Sequence, residues 1–203
     1  MSKIEDLISE ICPDGVEFRR LGDIGKRNHG TSITAAKMKE LHKAGGEVRI
    51  FAGGSTIADV DLGDIPDNDV IWDPSLIIKS RGYINFEYYT KPFSHKNELW
   101  SYTIQDERIN QKFVYYYLVT QKDKLQSIAS ANSVKIPQLS VADTDKLLIP
   151  IPPLPIQREI VSILDKFTKL EAELEAELEA ELESRKKQYE YYRGKLLDFK
   201  RKP

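Results

Sequence analysis

The chain has 203 residues, 40% of them hydrophobic and 31% charged, with a formal net charge of −2, which fits an ordinary globular protein carrying one core and an appendage. No apolar run approaches 18 residues and no signal-peptide pattern follows Met1-Ser2-Lys3, which argues against a membrane or secreted role. The single Cys12 excludes an internal disulfide and points to a reducing, cytoplasmic home.

In chain order, Ile4 to Ile11 reads as a short helix ended by the turn Pro13-Asp14-Gly15. Val16 to Leu21 alternates as a strand, and Gly22 and Gly25 punctuate the residues after it. Thr34 caps a helix from Ala35 to about Ala44, stopped by Gly45-Gly46. Five short runs rich in β-branched or aromatic residues read as strands: Glu47 to Ala52, Asp69 to Trp72, Leu76 to Lys79, Tyr83 to Tyr89 and Leu99 to Ile104. Helices come next at Asn110 to Gln121 and Lys122 to Ala129, then a last strand at Lys146 to Ile151. Pro150-Ile151-Pro152-Pro153-Leu154-Pro155 makes a stiff extended hinge. The expected fold is α+β, a globule over residues 1–150 followed by one long helix over 151–203.

From Pro155 to Phe199 nothing stops a helix before its final turns, because no proline follows Pro155 and Gly194 is the one glycine. A helix of that length spans roughly 65 Å at about 1.5 Å per residue, more than the globule needs. Ile156, Ile160, Ile163, Leu164, Phe167, Leu170, Leu174, Leu178, Leu182, Tyr189, Tyr192 and Leu196 recur at steps of three, four or seven, an apolar stripe made for a second long helix. Within it Leu-Glu-Ala-Glu repeats from Leu170 to Glu181. Each repeat turns about 400° and advances about 6 Å, so the leucine walks about 40° round the axis.

Seven glutamates fall between Glu171 and Glu183, and outside that stretch 25 acids face 30 bases. The acidic block keeps the middle of the rod solvated and leaves the remaining surface free to be locally basic, which permits a polyanion partner. Motifs for catalysis are missing. A base methyltransferase needs a glycine-rich cofactor loop and an Asn/Asp-Pro-Pro-aromatic motif; Asp73-Pro74-Ser75 lacks the second proline and the aromatic. Pro66-Asp67 has no following Asp/Glu-x-Lys for a metal-dependent nuclease, and no Walker lysine motif occurs. Cys12, His29, His42 and His95 lack metal-ligand spacing.

Several stretches together resemble one family. Leu21-Gly22-Asp23-Ile24, Phe113 to Leu118, Ile136-Pro137-Gln138-Leu139-Ser140, Ile149-Pro150-Ile151-Pro152-Pro153-Leu154-Pro155-Ile156-Gln157-Arg158-Glu159-Ile160 and Tyr191 to Phe199 look like the DNA specificity subunit of type I restriction-modification systems. The Pro-Pro-Leu…Gln…Ile signature entering a long helix is the specific part. Members usually carry two target recognition domains and two spacer helices packed antiparallel, in about twice this length. The resemblance therefore implies a half subunit with one target recognition domain, pairing as an antiparallel coiled-coil homodimer through Ile160, Ile163, Leu164, Phe167, Leu170, Leu174, Leu178, Leu182, Tyr189, Tyr192 and Leu196. It implies double-stranded DNA as a partner, methyltransferase (modification) subunits carrying the S-adenosylmethionine cofactor, and restriction subunits. This chain itself would hold no cofactor, metal or catalytic residue.

Residues that read DNA are expected in loops, as Arg, Lys, Asn and Gln heads or as backbone made accessible by glycine. The candidates are Ser55 and Thr56 after Gly53-Gly54, Lys79 and Arg81 around Ser80, His95-Lys96-Asn97 after Pro92-Phe93, Lys26-Arg27 in a basic loop suited to phosphates, and Lys135 before a proline turn. Tyr115, Tyr116 and Tyr117 at helical spacing suit the core better than base stacking. The tail from Ser184 to Pro203 holds eight bases, which suit a helix C-terminus or a partner. A rival reading makes the chain a coiled-coil adaptor whose globule only anchors it. A standalone nuclease or methyltransferase is disfavoured by the missing motifs.

Overall fold

The computed structural model describes residues 3–133 and 135–200, so Met1, Ser2, Val134, Arg201, Lys202 and Pro203 lie outside the described residues. The chain divides into two units, Met1–Ile160 and Val161–Pro203. The first begins with α1 (Lys3–Ile11), β1 (Glu17–Arg20), the four-residue helix α2 (Leu21–Ile24) and β2 (Gly25–Asn28). It continues with α3 (Ala35–Leu41), β3 (Val48–Phe51), β4 (Ile57–Val60), β5 (Ser75–Lys79), β6 (Asn85–Tyr89), β7 (Phe93–His95) and β8 (Trp100–Ile104). Then come α4 (Gln111–Thr120), α5 (Lys122–Ala131), α6 (Val141–Asp145) and β9 (Leu148–Ile151), and α7 (Leu154–Leu196) runs on into the second unit.

Among the described residues three small sheets organise these strands: β1 with β9, the order β2-β8-β5-β6, and the order β4-β3-β7. All these pairings are antiparallel except β3 with β7. In β5 all five residues are buried, which is the burial of a central strand covered on both faces. Two apolar clusters result. Met38 from α3 packs on Val48, Ile50, Ala58 and Val60 of the β3–β4 hairpin, while Phe51, Ile77, Phe93 and Leu99 form a second cluster. There Phe51, Tyr89 and Phe93 meet edge to face, the geometry their ring quadrupoles favour.

Several expected elements are present. Thr34 caps α3, its hydroxyl oxygen accepting from the Lys37 amide at 3.2 Å. Tyr115, Tyr116 and Tyr117 are part-buried on α4, Tyr115 meeting the ring of Tyr88 on β6. Other readings need correction. Asp69 to Trp72 is not a strand; a 3-10 turn at Asp67–Asp69 leads to one bridge from Ile71 to Phe93. Lys26 to Asn28 belongs to β2, paired with Thr103, Tyr102 and Ser101 of β8, rather than to a loop. His95 ends β7, opposite Phe51. The extended hinge shrinks, because Pro150 and Ile151 are strand residues opposite Phe18 and Glu17. Proline is tolerated there because the two-stranded sheet leaves β9 an open edge. α7 takes up Leu154 and Pro155 in its first turn, where a proline leaves unused only an amide that lacks a helical partner.

The entry to α7 turns on Gln157, which is wholly buried. Its Oε1 accepts from the Asn110 amide at 2.7 Å, and its Nε2 donates to the carbonyls of Arg108 at 3.0 Å and Pro152 at 2.7 Å. Gln157→Leu strips three backbone groups of their partner, the Pro152 carbonyl in a buried contact and the Arg108 carbonyl and Asn110 amide in part-buried ones that water can partly repair, so about 1–3 kcal/mol applies in full only to the first. Urea unfolding followed by fluorescence should show a loss of about 2–4 kcal/mol; an unchanged midpoint would show that the hub is not structural.

His95 is also wholly buried. Its Nδ1 donates to the Lys96 carbonyl at 3.2 Å, leaving Nε2 to accept from the Ser101 hydroxyl at 3.3 Å. A Cβ on Gly30 would fall on the His95 carbonyl and ring, so the ring is boxed in. Burial holds its pKa below the ordinary value of 6.5, although the Lys96 carbonyl pulls the other way. The unfolded chain therefore takes up this proton first. Stability from this group is complete above about pH 6.5 and is lost as pH falls toward the folded value. Between pH 7.5 and 5.5 the wild type should lose more stability than His95→Gln, by up to about 1.4 kcal/mol per pH unit below 6.5. Parallel pH profiles would contradict this.

Candidate nucleic-acid interface

An open cleft of about 440 Å³ lies between the β3–β4 hairpin and the β5–β6 hairpin, lined among others by Arg49, Ser55, Lys79, Tyr83, Asn85 and Glu87. The β3–β4 turn is the Gly53-Gly54-Ser55-Thr56 stretch, closed by the Ala52 amide donating to the Thr56 carbonyl at 2.9 Å. Gly54 has φ +65°, a left-handed conformation that side chains disfavour. On the facing hairpin, Asn85 and Glu87 of β6 share one side because strand side chains alternate, and Tyr83 in the turn before them lines the cleft as well.

The charges inside this cleft are consumed locally. Arg49 grips Asp59 with both prongs, Nε to Oδ1 at 2.7 Å and Nη2 to Oδ2 at 3.0 Å, across the β3–β4 register. Those hydrogen bonds hold the Asp59 carboxyl below its ordinary pKa and raise that of Arg49. Lys79 is buried and paired with Glu87, its ammonium 5.8 Å from the centre of the Phe51 ring. What stays open toward solvent is neutral: Ser55 and Thr56 at the hairpin tip, and Tyr83, 69% exposed.

The expected DNA-reading residues therefore separate. Ser55 and Lys79 meet in this cleft, but Lys79 is a strand residue engaged with Glu87, not a free loop cation. Arg81 sits exposed in the turn between β5 and β6. Arg27 and Asn97 come together at a second depression of about 380 Å³ with Asn28, His29 and Trp100. Lys26 precedes Arg27 on β2, so the two point to opposite faces. Lys96 is half-buried and bonded to Glu98 at 2.9 Å. Lys135 is exposed. His95 is the clear correction: inside β7 with no exposed surface, it cannot touch a ligand. Arg49, Tyr83 and Asn85 are cleft residues absent from the sequence-based candidates; the i, i+2 spacing of Tyr83 and Asn85, in the strand expected over Tyr83 to Tyr89, is the signal that points to two of them, although the strand itself begins at Asn85.

In the second unit the apolar stripe is bare. Leu170, Leu174, Leu178 and Leu182 are 55–59% exposed, and Phe167, Tyr189, Tyr192 and Leu196 are exposed as well. Ile160, Ile163 and Leu164 are part-covered. Around the stripe the charges pair along the helix, Lys169 with Glu173 at 3.5 Å, Arg185 with Glu181 at 3.3 Å and Lys187 with Glu183 at 2.7 Å. Two bases of the basic tail are thus occupied by the rod's own glutamates. Among the described residues no three His, Cys, Asp or Glu come together to hold a metal ion, and no helix is long and apolar enough to cross a membrane.

Comparison with known proteins places these features. The model of the type I restriction modification DNA specificity domain matches residues 13–184. The EcoR124I/EcoR124II specificity subunit of Escherichia coli is 33% identical over 98% of this chain and 48% of its own length. The EcoprrI specificity subunit of the same species is 47% identical over 44% of the chain and 23% of its own. Among solved structures, the HsdS subunit from Thermoanaerobacter tengcongensis superposes with a TM-score of 0.56 at 19% identity, covering 83% of this chain and 43% of that one. The type I S subunit from M. genitalium gives 0.58 at 18% identity, covering 77% and 40%. The chain spans half or less of the length of these relatives, and the fold they share is the one described above. With its family-specific helix entry and its single globule and helix, the chain belongs to the type I restriction-modification DNA specificity family.

Proposed function

We propose that this chain is a half-length specificity subunit, a target recognition domain over residues 1–150 with a spacer helix over 151–203, that pairs with a second copy to read a two-part palindromic DNA target. The observation that carries the reading is the uncovered stripe of α7. Four repeat leucines more than half exposed in one chain amount to a surface that water disfavours, and fully burying each is worth about 1.5–3 kcal/mol. A second copy laid antiparallel covers the stripe and is the self-complementary solution under a two-fold axis. Each globule then reads one half-site, and the gap between half-sites follows the rod.

In this reading the chain performs no bond chemistry. It binds double-stranded DNA and positions methyltransferase subunits, which carry S-adenosylmethionine and act on an adenine turned out of the duplex, and restriction subunits, which cleave unmodified DNA. Its own contribution is spacing from the helix and base identity from the loops.

Light scattering at micromolar concentration should give a dimer, and Leu174→Glu with Leu178→Glu in the same chain should give a folded monomer. Selection from randomised duplex with the methyltransferase subunit of the same system should return a palindrome with a fixed gap. A wild-type monomer, or a dimer whose DNA binding has no sequence preference, supports an adaptor instead.

The repeat makes a second test. One more Leu-Glu-Ala-Glu adds about 6 Å and about 40°, against about 3.4 Å and about 36° for a base pair. Inserting it should widen the gap by one or two base pairs and leave the half-site letters alone; altered letters would count against the helix as ruler.

A further inference from the structure

We propose that the turn joining β5 to β6, residues 80–84, is the base-reading element of the first unit, with Arg81 directed at a guanine edge and Gln126 as the residue that positions it. The assignment rests on the DNA-reading role just proposed.

The backbone of the turn is fastened at Ser80, Gly82 and Ile84. Gln126 on α5 clamps it with both ends of its amide: Oε1 accepts from the Ile84 amide at 2.8 Å, and Nε2 donates to the Gly82 carbonyl at 3.2 Å. The Gly82 amide donates to the Pro137 carbonyl at 2.8 Å, and the Leu139 amide to the Ser80 carbonyl at 2.9 Å. The Ser80 hydroxyl donates to the Glu98 carbonyl at 2.7 Å. Gly82, at φ +77°, makes the reversal without strain. Gln126 itself stands beside Leu125, buried on α5, and Ala129 of the same helix is buried and accepts from the Gln138 amide at 3.0 Å. Three separate segments therefore hold five residues.

A backbone pinned at alternate residues holds the side chains of Arg81 and Tyr83 between its fixed points, so they are the heads the turn can offer a base. Arg81 is exposed and makes no ion pair or side-chain hydrogen bond among the described residues. By contrast Arg49 and Lys79 in the adjoining cleft are committed to Asp59 and Glu87. Two residues on, Tyr83 is 69% exposed with the Lys122 ammonium 4.1 Å from its ring centre. The turn therefore presents a free guanidinium fork, an exposed aromatic ring and an adjacent ammonium on a rigid base. A fork of this kind matches guanine O6 and N7 in the major groove, and such a pair discriminates by about 1–3 kcal/mol. Lys122 suits a phosphate. Holding the turn in advance spares the ordering cost that a mobile loop would incur on binding.

The test uses the dimer assembled with its own methyltransferase subunit and selection from randomised duplex. Arg81→Ala should flatten the preference for one guanine in each half-site and weaken binding to the wild-type target by about 5- to 150-fold, the range that 1–3 kcal/mol implies. Arg81→Lys should keep the salt dependence of non-specific binding and still lose that guanine, because it keeps the charge without the fork. Gln126→Ala should weaken the preference at the same position, and the double variant should lose little beyond Arg81→Ala alone. Arg81 is exposed, so its variants test the turn even where Gln126→Ala unfolds. Retention of the full guanine preference by Arg81→Lys, a loss spread evenly over the half-site in Gln126→Ala, or additive effects in the double variant overturns the assignment while the reading of the chain stands. A wild-type complex that selects no target overturns both.

Discussion

A buried glutamine amide decides how the long helix begins. Two consecutive prolines, Pro152 and Pro153, bring carbonyls into the junction but no amide hydrogens. Their oxygens must be met from elsewhere. The Pro153 carbonyl is met from inside the first turn by the Ile156 amide at 2.9 Å, while Pro152 depends on the Gln157 side chain. That side chain is also the partner of the Arg108 carbonyl and the Asn110 amide, two groups at the loop that starts α4. Only a residue with both donors and an acceptor serves all three, and a glutamate would add a charge with no donor. The Pro-Pro-Leu…Gln…Ile pattern is thus a hydrogen-bonding solution before it is a family signature.

Beyond that junction the chain uses two different kinds of surface. The first unit consumes its cleft charges in pairs set by strand register: Arg49 lies opposite Asp59, and Lys79 reaches Glu87 diagonally across the β5–β6 pairing. Such pairs fix strands and leave neutral or singly chosen heads for recognition. The second unit does the reverse, pairing its charges along the helix and leaving its apolar stripe open. A side chain can be exchanged at the first surface without touching the second, as the proposed division between base reading and spacing requires.

How much of this is legible in the sequence depends on the range of each interaction. The helix α7, the Thr34 cap and the central strand β5 depend on neighbours within a few residues, and periodicity exposes them. β4 and β7 have four and three residues, too few to show a period against the background. β2 reads as a basic loop because Lys26 and Arg27 are both exposed although they lie on opposite faces, and its membership of the sheet comes from β8, about 75 residues away. The burial of His95 likewise depends on Gly30 and Ser101, which no local pattern announces. α6 differs from these: it is missing from the expected elements although Ser140 and Asp143 form a capping box that the sequence spells out.

Local commitment of charge, rather than net charge, bears on how such a chain can meet a polyanion. Outside the acidic block the sequence holds five more bases than acids, yet many of those bases are spoken for. Arg19 and Arg108 share Asp106, Lys43 holds Asp61 at 2.5 Å, Lys37 holds Glu40 at 2.8 Å, and Arg49, Lys79 and Lys96 have their own carboxylates. Pairs as exposed as Lys37–Glu40 and Lys43–Asp61 contribute little and exchange readily with phosphate, whereas the bidentate Arg49–Asp59 pair does not. The cations left without an ion pair among the described residues include Lys26, Arg27, Arg81, Lys122 and Lys135. Each phosphate contact lowers the logarithm of affinity by about 0.9 per decade of salt, so the steepness with which binding falls with ionic strength counts how many of these cations reach a phosphate. Three acids of the block, Glu173, Glu181 and Glu183, are met by Lys169, Arg185 and Lys187 of the same helix, so part of the charge that makes the balance negative is answered along the rod rather than on the first unit.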